Sequence, residues 1–304
     1  STVNKISLLE KELNAIYPCS IEIFYAKDEY FKDYSPWRGN YMTYYRLLYP
    51  QILPKEVNYY LYLDGDTLVV SDIREIFCEK LDTYAIGAVA QYKLAAQKLQ
   101  KEILLPQQKG EKRYSFHTHE YYFCAGVMLV NLEKWKEENI EGKVAWFLKK
   151  YKARYPDQDA LNYAVKNNFK VLDFKYDMYM SGVDKEIVHD AEKQLKQYGV
   201  DLKPYAEPCV LHYMQKPWSS SPYLFSNSMA VYNEYIPLWW EYAEKTPVFS
   251  AELMAFRHSE AYQRIIARCE ERKKRYEKYW YFYWLRKYFS LWKEQALYWI
   301  NSLR

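Results

Sequence analysis

Two apolar runs separated by a pair of aspartates constrain this chain more than any other feature. Residues 59–63 are Tyr and Leu, Asp64-Gly65-Asp66 follow, and residues 67–70 form a second apolar run. Short runs of this kind are typical of buried strands, so the aspartates are predicted at the edge of a core, with Gly65 allowing a sharp turn. Two hard oxygen ligands one residue apart can hold a divalent cation, which in turn can hold a diphosphate. A polar turn in a hairpin gives the same pattern, so the motif alone leaves both interpretations open.

The composition allows a large core and excludes several classes of protein. The chain has 304 residues, 50% of them hydrophobic, which suffices for one large domain or two ordinary ones. No apolar run approaches the ~18 residues that a membrane-spanning helix needs. Five scattered cysteines without a Cys-x-x-Cys pair indicate neither a disulfide framework nor a zinc site. They suit a reducing compartment, so we expect a cytoplasmic protein.

Predicted strands and helices alternate along the chain. Helices are predicted around Trp135 and over residues 4–15, 40–50, 144–151, 160–165 and 238 onward, and strands over residues 20–25, 57–64, 86–90, 121–131, 169–172 and 208–213. Residues 91–120 and 173–208 are predicted as polar or turn-rich connections. This alternation favours an α/β fold with a single mixed, mostly parallel sheet.

Four segments, in this order, resemble glycosyltransferase family 8, which includes bacterial galactosyl- and glucosyltransferases and the eukaryotic glycogenins. They are Thr43–Leu48, Tyr62–Ile73, Tyr122–Trp135 with Asp157–Asn162, and Val210–Trp218. The resemblance implies a Rossmann-like, nucleotide-sugar-binding glycosyltransferase A-type fold. It also implies a catalytic domain over residues 1–250, followed by a helical, basic and aromatic segment over 251–304. The family's first strand has no counterpart and is expected to be missing.

The resemblance implies a UDP-sugar donor held through a divalent metal. Asp64 and Asp66 would supply hard oxygens and His212 an imidazole nitrogen, a set that suits manganese better than magnesium. Such a metal stabilises the charge that develops on a departing diphosphate. By itself, a histidine after a strand is more often a hydrogen-bonded core residue, so this role depends on the two aspartates. Lys216 is either a cation for the β-phosphate or an ordinary surface lysine.

Further donor-binding residues are implied near the acidic turn. Arg46 can brace the aspartates, contact the donor or lie at the surface, and the resemblance favours the donor pocket. Gly126 interrupts an apolar strand, where glycine usually marks the close approach of a ligand or of backbone. The resemblance adds Gly65 and Ala125. Cys124 stands where the family typically has asparagine, which bears on sugar specificity more than on activity.

The sugar chemistry is assigned by the resemblance to Asp157, Gln158 and Asp159. Family 8 enzymes retain the anomeric configuration of the donor, and Gln158 matches the position opposite the leaving group. An amide is a poor nucleophile, so a front-face path through an oxocarbenium-like state is expected. Asp157 is the expected direct sugar contact and Asp159 a further donor-binding residue. Either aspartate can equally head the helix that follows.

The C-terminal segment is basic and aromatic. Residues 255–304 hold 12 Lys/Arg against 5 Asp/Glu, whereas the whole chain carries a formal net charge of +4. Trp280, Trp284, Tyr288 and Leu291 recur at helical spacing. A helix of this kind suits an anionic membrane surface, and it is equally typical of a helix packed on the core. No recognised nucleic-acid-binding motif is present, so no nucleic acid partner is expected.

Two functions from different classes follow. The first is a metal-dependent retaining hexosyltransferase that moves glucose or galactose from a UDP-sugar to a cell-surface glycan, a lipid-linked or a protein-linked acceptor. It would act in the cytoplasm or at the inner face of the membrane. The alternative is a non-catalytic scaffold or partner of another transferase, which the missing first strand and the short loop before Lys216 favour. The complete set of Asp64, Asp66 and His212 favours the enzyme, since a scaffold need not keep a metal site.

Overall fold

The structure, a computed structural model, describes most of the chain. Its described residues are 2–90, 101–106, 114–117, 122–153, 155–166, 168–179, 207–213, 216–219, 230–275, 277–279 and 281–282. The chain divides into two compact units, one of residues 20–214 and one that joins residues 1–19 to 215–304. The predicted limits of 1–250 and 251–304 stay a prediction.

The described strands and helices alternate only in part. The strands are Tyr59–Leu63 (β1), Thr67–Val69 (β2), Ile86–Ala90 (β3), Lys101–Pro106 (β4), Tyr114–His117 (β5), Phe123–Asn131 (β6), Tyr151–Lys152 (β7), Lys170–Val171 (β8), Met178–Tyr179 (β9) and Val210–His212 (β10). The α-helices are Thr2–Asn14 (α1), Tyr49–Ile52 (α2), Leu132–Glu137 (α3), Ile140–Lys150 (α4), Pro156–Val165 (α5), Ala230–Lys245 (α6) and Ser250–His258 (α7), and residues 260–275 are also helical. Short 3-10 helices lie at Asp28–Phe31, Met42–Leu48, Arg74–Cys78 and Phe174–Tyr176.

Strand β6 forms the centre of the larger unit. All 9 of its residues are buried, as expected for an apolar strand covered on both faces. It pairs antiparallel with β1, with Tyr59 opposite Asn131, and antiparallel with β3 on its other side. Helices α4 and α5 share one hydrophobic core with this sheet. The backbone N–H of Asp64 donates to the Gly126 carbonyl at 2.8 Å, so the end of β1 lies beside the middle of β6.

A smaller sheet brings a distant segment of the chain to the acidic turn. Strand β10 pairs antiparallel with β2, which puts His212 opposite Thr67. On its other side β10 runs parallel to β9, with His212 opposite Tyr179. Because Thr67 directly follows Asp66, this register places His212 next to the turn between β1 and β2.

The α/β class with a mixed sheet is confirmed, but the strand directions differ from the expectation of one mostly parallel sheet. The described strands form three sheets, in which β3 with β8 and β9 with β10 are the parallel pairs. The remaining described pairs are antiparallel. In the larger sheet, β6 lies between β1 and β3 and runs antiparallel to both. A tight turn leads from β1 into β2, which belongs to the smaller sheet and runs antiparallel to β10.

The predicted strand over residues 20–25 was wrong. The structure forms no strand there, and Ile23, Phe24 and Tyr25 are 39%, 49% and 75% exposed. Alternating apolar residues make a strand only when one face is buried and a neighbour supplies hydrogen bonds. Neither is present among the described residues.

Two other local predictions need correction. The helix predicted over residues 40–50 is a 3-10 helix over Met42–Leu48 that leads into α2, where Pro50 lies in the first turn. A proline is tolerated there because that N–H has no partner within the helix. The connection predicted over residues 91–120 contains the antiparallel pair β4 and β5.

The described part of the smaller unit is mainly helical, as predicted for residues 4–15 and for the described residues after 238. The Trp240 indole donates to the Tyr262 hydroxyl at 3.2 Å, which donates to the Pro217 carbonyl at 2.8 Å. Among the described residues, no helix combines the length and the apolar character needed to cross a membrane. The predicted stripe of Trp284, Tyr288 and Leu291 lies outside the described residues.

Candidate active site

The turn that follows β1 holds both predicted metal-binding carboxylates. The carbonyl oxygen of Asp64 accepts from the backbone N–H and the hydroxyl of Thr67, at 3.1 and 2.8 Å, which closes the turn. The Asp64 and Asp66 side chains are 21% and 17% exposed, so both remain accessible to a ligand. Gly65 does not have a left-handed φ, and an added Cβ would meet nothing within 4 Å. The turn therefore does not require glycine, contrary to the expectation from the sequence.

His212 completes a cluster with the two aspartates. Its Nε2 lies 3.3 Å from an Asp66 carboxylate oxygen and 4.0 Å from an Asp64 oxygen. The ligand atoms of the three residues all lie within 4.8 Å of one another. Two carboxylates and an imidazole form a donor set that suits manganese, and their separations fit a single ion. Of the predicted donor and metal residues, these three come together as expected.

Gly126 lies against the His212 ring, while its expected donor contact stays a prediction. A Cβ added at Gly126 would lie 2.1 Å from His212 Cε1 and 2.6 Å from Nδ1. The imidazole therefore lies directly against the backbone of β6 and fills the space that any side chain would take. The inference of a close approach was right, but the approaching group is a protein side chain.

Arg46 links three parts of the site. Its guanidinium donates to the Ala125 carbonyl at 2.5 Å and to the Asp64 carboxylate at 2.8 Å, and its Nε lies 3.0 Å from an Asp157 oxygen. Burial lowers the pKa of Arg46, but Asp157 and Asp64 raise it, and the net shift is upward. The arrangement matches the bracing role, and a direct donor contact of Arg46 and Ala125 stays a prediction.

The charge of Asp64 is set by opposing effects. Burial raises its pKa, whereas the Arg46 guanidinium and the hydrogen bond from Tyr62 lower it, and the net shift is upward. The Tyr62 hydroxyl donates to Asp64 at 2.5 Å. The carboxylate is thus held by two donors on one side and faces His212 on the other.

Gln158 lies on α5, and its side chain is fixed against β6. Its side-chain oxygen accepts from the Ala125 backbone N–H at 3.0 Å, and its amide nitrogen donates to the Tyr122 hydroxyl at 2.9 Å. Asp157 is 6% exposed and accepts from the Thr43 hydroxyl at 2.5 Å. The structure thereby places the two predicted catalytic side chains beside the strand that also supports His212.

Asp159 has the surroundings of a structural residue. It is 1% exposed, and its oxygens accept from the Tyr122 hydroxyl at 2.5 Å and the Tyr155 backbone N–H at 3.0 Å. Because Tyr155 is the N-cap of α5, the second bond provides an acceptor for a backbone N–H at the start of this helix. This geometry favours the helix-start interpretation over donor binding, which stays a prediction for Asp159.

Two residues at the site, Tyr122 and Asp177, were not predicted from the sequence. Tyr122 is buried, and burial followed by Asp159 raises its pKa well above the ordinary value. It connects Asp159 to Gln158. Asp177 is 0% exposed and lies 2.9 Å from His212 Nδ1. Tyr122 is marked only by its place in the motif before Gly126, and Asp177 lies in a segment predicted as irregular.

Lys216 lies in the other compact unit, where it is half-buried at the start of a turn. Its carbonyl accepts from the Ser219 backbone N–H at 2.9 Å. Its expected contact with a β-phosphate stays a prediction.

Comparison with known sequences decides the family. The family model described as glycosyl transferase family 8 matches residues 2–221. The chain belongs to glycosyl transferase family 8. Glycosyltransferase GlyB of Streptococcus pneumoniae serotype 4 is 28% identical over 206 residues, which cover 67% of this chain and 42% of GlyB. The lipopolysaccharide 1,2-glucosyltransferase of Escherichia coli is 30% identical over 138 residues, covering 44% of this chain and 38% of that protein.

A solved structure supports the fold. An active-site mutant of LgtC superposes with a TM-score of 0.53 at 24% identity, covering 70% of this chain and 72% of that chain. The expected glycosyltransferase A-type fold of this family 8 chain is thereby confirmed. The aligned region spans less than half of GlyB, so the match concerns one part of that relative.

Proposed function

We propose that this family 8 chain is a metal-dependent retaining hexosyltransferase. It would move glucose or galactose from a UDP-sugar to a cell-surface glycan or to a lipid- or protein-linked acceptor. The observation that carries the proposal is the convergence of Asp64, Asp66 and His212 from two sheets. The two carboxylates lie side by side, and their desolvation and mutual repulsion raise the pKa of Asp64 and cost stability. Such a cost is typical of a binding site for a cation.

The roles of the protein groups follow from their contacts. When bound, manganese or magnesium supplies Lewis-acid stabilisation to a diphosphate leaving group. Arg46 keeps Asp64 oriented through two bonds to its carboxylate and ties it to β6 through Ala125. The turn after β1 thus holds its shape before the donor arrives, and prior order of this kind lowers the cost of binding.

Gln158 would act at the sugar. One bond to Ala125 and one to Tyr122 fix its plane, and a primary amide can make further hydrogen bonds beyond these. An amide oxygen is a poor nucleophile but stabilises positive charge at short range. Gln158 therefore supports an oxocarbenium-like state on a front-face path, and Asp157 would orient the sugar from its place beside Arg46.

The identity of the sugar rests on relatives. The Escherichia coli relative is described as a glucosyltransferase acting on lipopolysaccharide, and this supports glucose and a surface glycan as the first candidates. The non-catalytic alternative keeps the support of the short loop before Lys216, in which three residues separate Lys216 from His212. A non-catalytic role would not explain why Asp64, Asp66 and His212 form a cluster.

We also propose that the C-terminal segment attaches the enzyme to the anionic inner face of a membrane. Among its described residues, Tyr279, Tyr281 and Phe282 are 43%, 53% and 69% exposed, and Lys/Arg outnumber Asp/Glu. Each Lys or Arg near an anionic surface contributes about 1 kcal/mol. Deleting residues 276–304 should release the protein from anionic liposomes and leave transfer to a soluble acceptor intact. Absence of liposome binding by the full chain at low salt, or unfolding on deletion, would contradict the proposal.

The test of the proposed transfer is UDP release from a panel of UDP-sugars. UDP-glucose or UDP-galactose should be turned over, chelation with EDTA should stop the reaction, and added manganese should restore it. Asp66→Asn should lower turnover at least about 100-fold, the effect of losing one key electrostatic group. Asp72→Asn is the matched control, since Asp72 is exposed and pairs with Arg74. Unchanged turnover after rigorous chelation refutes the metal dependence, and no turnover of any UDP-sugar supports the scaffold.

A further inference from the structure

Asp177 lies directly behind His212. It sits between the 3-10 helix Phe174–Tyr176 and strand β9 and is 0% exposed. Because β9 runs parallel to β10 in a fixed register, the backbone holds this carboxylate beside the imidazole. Its Oδ1 lies 2.9 Å from His212 Nδ1.

The two nitrogens of the imidazole face different groups. Nδ1 faces the buried Asp177 carboxylate, with the Cys124 sulfur at 3.7 Å. Nε2 faces the acidic turn, 3.3 Å from Asp66 and 4.0 Å from Asp64. The ring therefore spans the distance between one buried carboxylate and the pair of accessible ones.

Only a neutral imidazole can bind a cation, and in that form the arrangement around His212 is directional. One ring nitrogen carries the proton and the other offers a lone pair. A carboxylate oxygen is an acceptor, so the Asp177 oxygen 2.9 Å from Nδ1 favours the tautomer that has its proton on Nδ1. That tautomer leaves the Nε2 lone pair facing Asp66. The opposite tautomer would point a proton at the acidic turn and could not bind a cation there.

We propose that Asp177 is a positioning residue that fixes the tautomer and orientation of His212 for metal binding. The inference rests on the proposed metal-dependent function. Metal-ligating histidines typically donate their second N–H to a carboxylate or a carbonyl, and loss of that partner commonly costs about 10–100-fold in metal affinity. The other oxygen of Asp177 has no hydrogen-bond partner within the described residues. A carboxylate kept only for structure would be expected to use both oxygens.

The experiment compares Asp177→Asn with Asp173→Asn in the full-length chain. Asp173 belongs to the same segment, and its side chain caps the 3-10 helix by accepting from the Lys175 N–H, a bond that asparagine can keep. Manganese affinity is measured by electron paramagnetic resonance, and nitrogen coupling to the bound ion by electron spin echo modulation. Asp177→Asn should weaken manganese binding about 10–100-fold and alter the nitrogen coupling. Asp173→Asn should leave both unchanged.

A double-mutant cycle separates a positioning role from a folding role. In a His212→Gln background, Asp177→Asn should have no further effect on manganese affinity, because its effect passes through the imidazole. An equal loss in both backgrounds overturns the inference. So does wild-type affinity and coupling in Asp177→Asn. If the wild-type chain binds no manganese, the proposed metal dependence fails instead, and the two failures are thereby distinguished.

Discussion

Gly126→Ala should displace His212 without replacing any of the proposed metal ligands. The added Cβ would lie 2.1 Å from His212 Cε1, and ordinary contact begins at 3.4 Å, so the ring must move by about 1.3 Å. Metal–ligand distances tolerate only about 0.2 Å, which means that the displaced imidazole can no longer bind the ion that Asp64 and Asp66 hold. The movement also strains the bond to Asp177.

Gly126→Ala should reduce both the stability of the fold and the affinity for manganese. Overpacking of this kind costs about 1–3 kcal/mol in the free energy of unfolding, and manganese affinity should fall at least about tenfold, as for a lost supporting contact. Gly65→Ala is the matched control in the same site, since its Cβ would meet nothing within 4 Å and its φ is not left-handed. It should change the free energy of unfolding by no more than about 0.5 kcal/mol.

The assay combines urea unfolding followed by circular dichroism with manganese titration of each variant. Wild-type manganese affinity in Gly126→Ala would contradict this prediction, because it would show that His212 is either not a ligand or not confined by β6. Equal loss in both variants would place the effect in the turn instead of the imidazole.

Three other predictions concern the same site. Arg46→Met should lower the free energy of unfolding by about 3–5 kcal/mol, since it leaves the buried Asp157 and the partly buried Asp64 without their partner, and urea unfolding measures this. Gln158→Ala should lower kcat strongly and change UDP-sugar affinity little, the pattern of an interaction made mainly in the transition state, as steady-state kinetics would show. Burial, above all, raises the pKa of Cys124 to about 11, so at pH 8 iodoacetamide should label the exposed Cys19 and Cys78 but not Cys124, as read by mass spectrometry.

Each of these has a result that would contradict it. Full stability of Arg46→Met would mean that the buried aspartates are neutral or hydrated. Collapse of donor affinity in Gln158→Ala would move that residue to donor binding. Labelling of Cys124 in the native protein at pH 8 would show that the space behind His212 opens to solvent.

The sequence predicts the acidic turn, Gly126 and His212 one by one, because each has a recognisable local pattern. A strand that ends in Asp64 and Asp66, a glycine inside an apolar strand, and a histidine after a short strand each carry a recognisable pattern. The resemblance to family 8 supplied the pairing of His212 with the aspartates. No spacing rule could supply that pairing, because the register of β10 with β2 joins segments far apart in the chain.

The supporting contacts are harder to predict because they depend on tertiary geometry. Asp177 precedes a strand of 2 residues and has no periodic pattern around it, yet it is the buried partner of His212. Asp159 and Gln158 have similar sequence surroundings, but helix α5 turns one toward Tyr155 and the other toward β6. The strand predicted over residues 20–25 failed for the same reason, since local alternation cannot show whether a neighbouring strand exists.

The most direct test of the proposed metal site is anomalous diffraction from crystals grown with manganese and UDP. We expect one manganese peak within about 2.0–2.6 Å of carboxylate oxygens of Asp64 and Asp66 and in contact with Nε2 of His212 and the β-phosphate. Clear density for UDP without a manganese peak at these three residues, or a peak held by other residues, would contradict it.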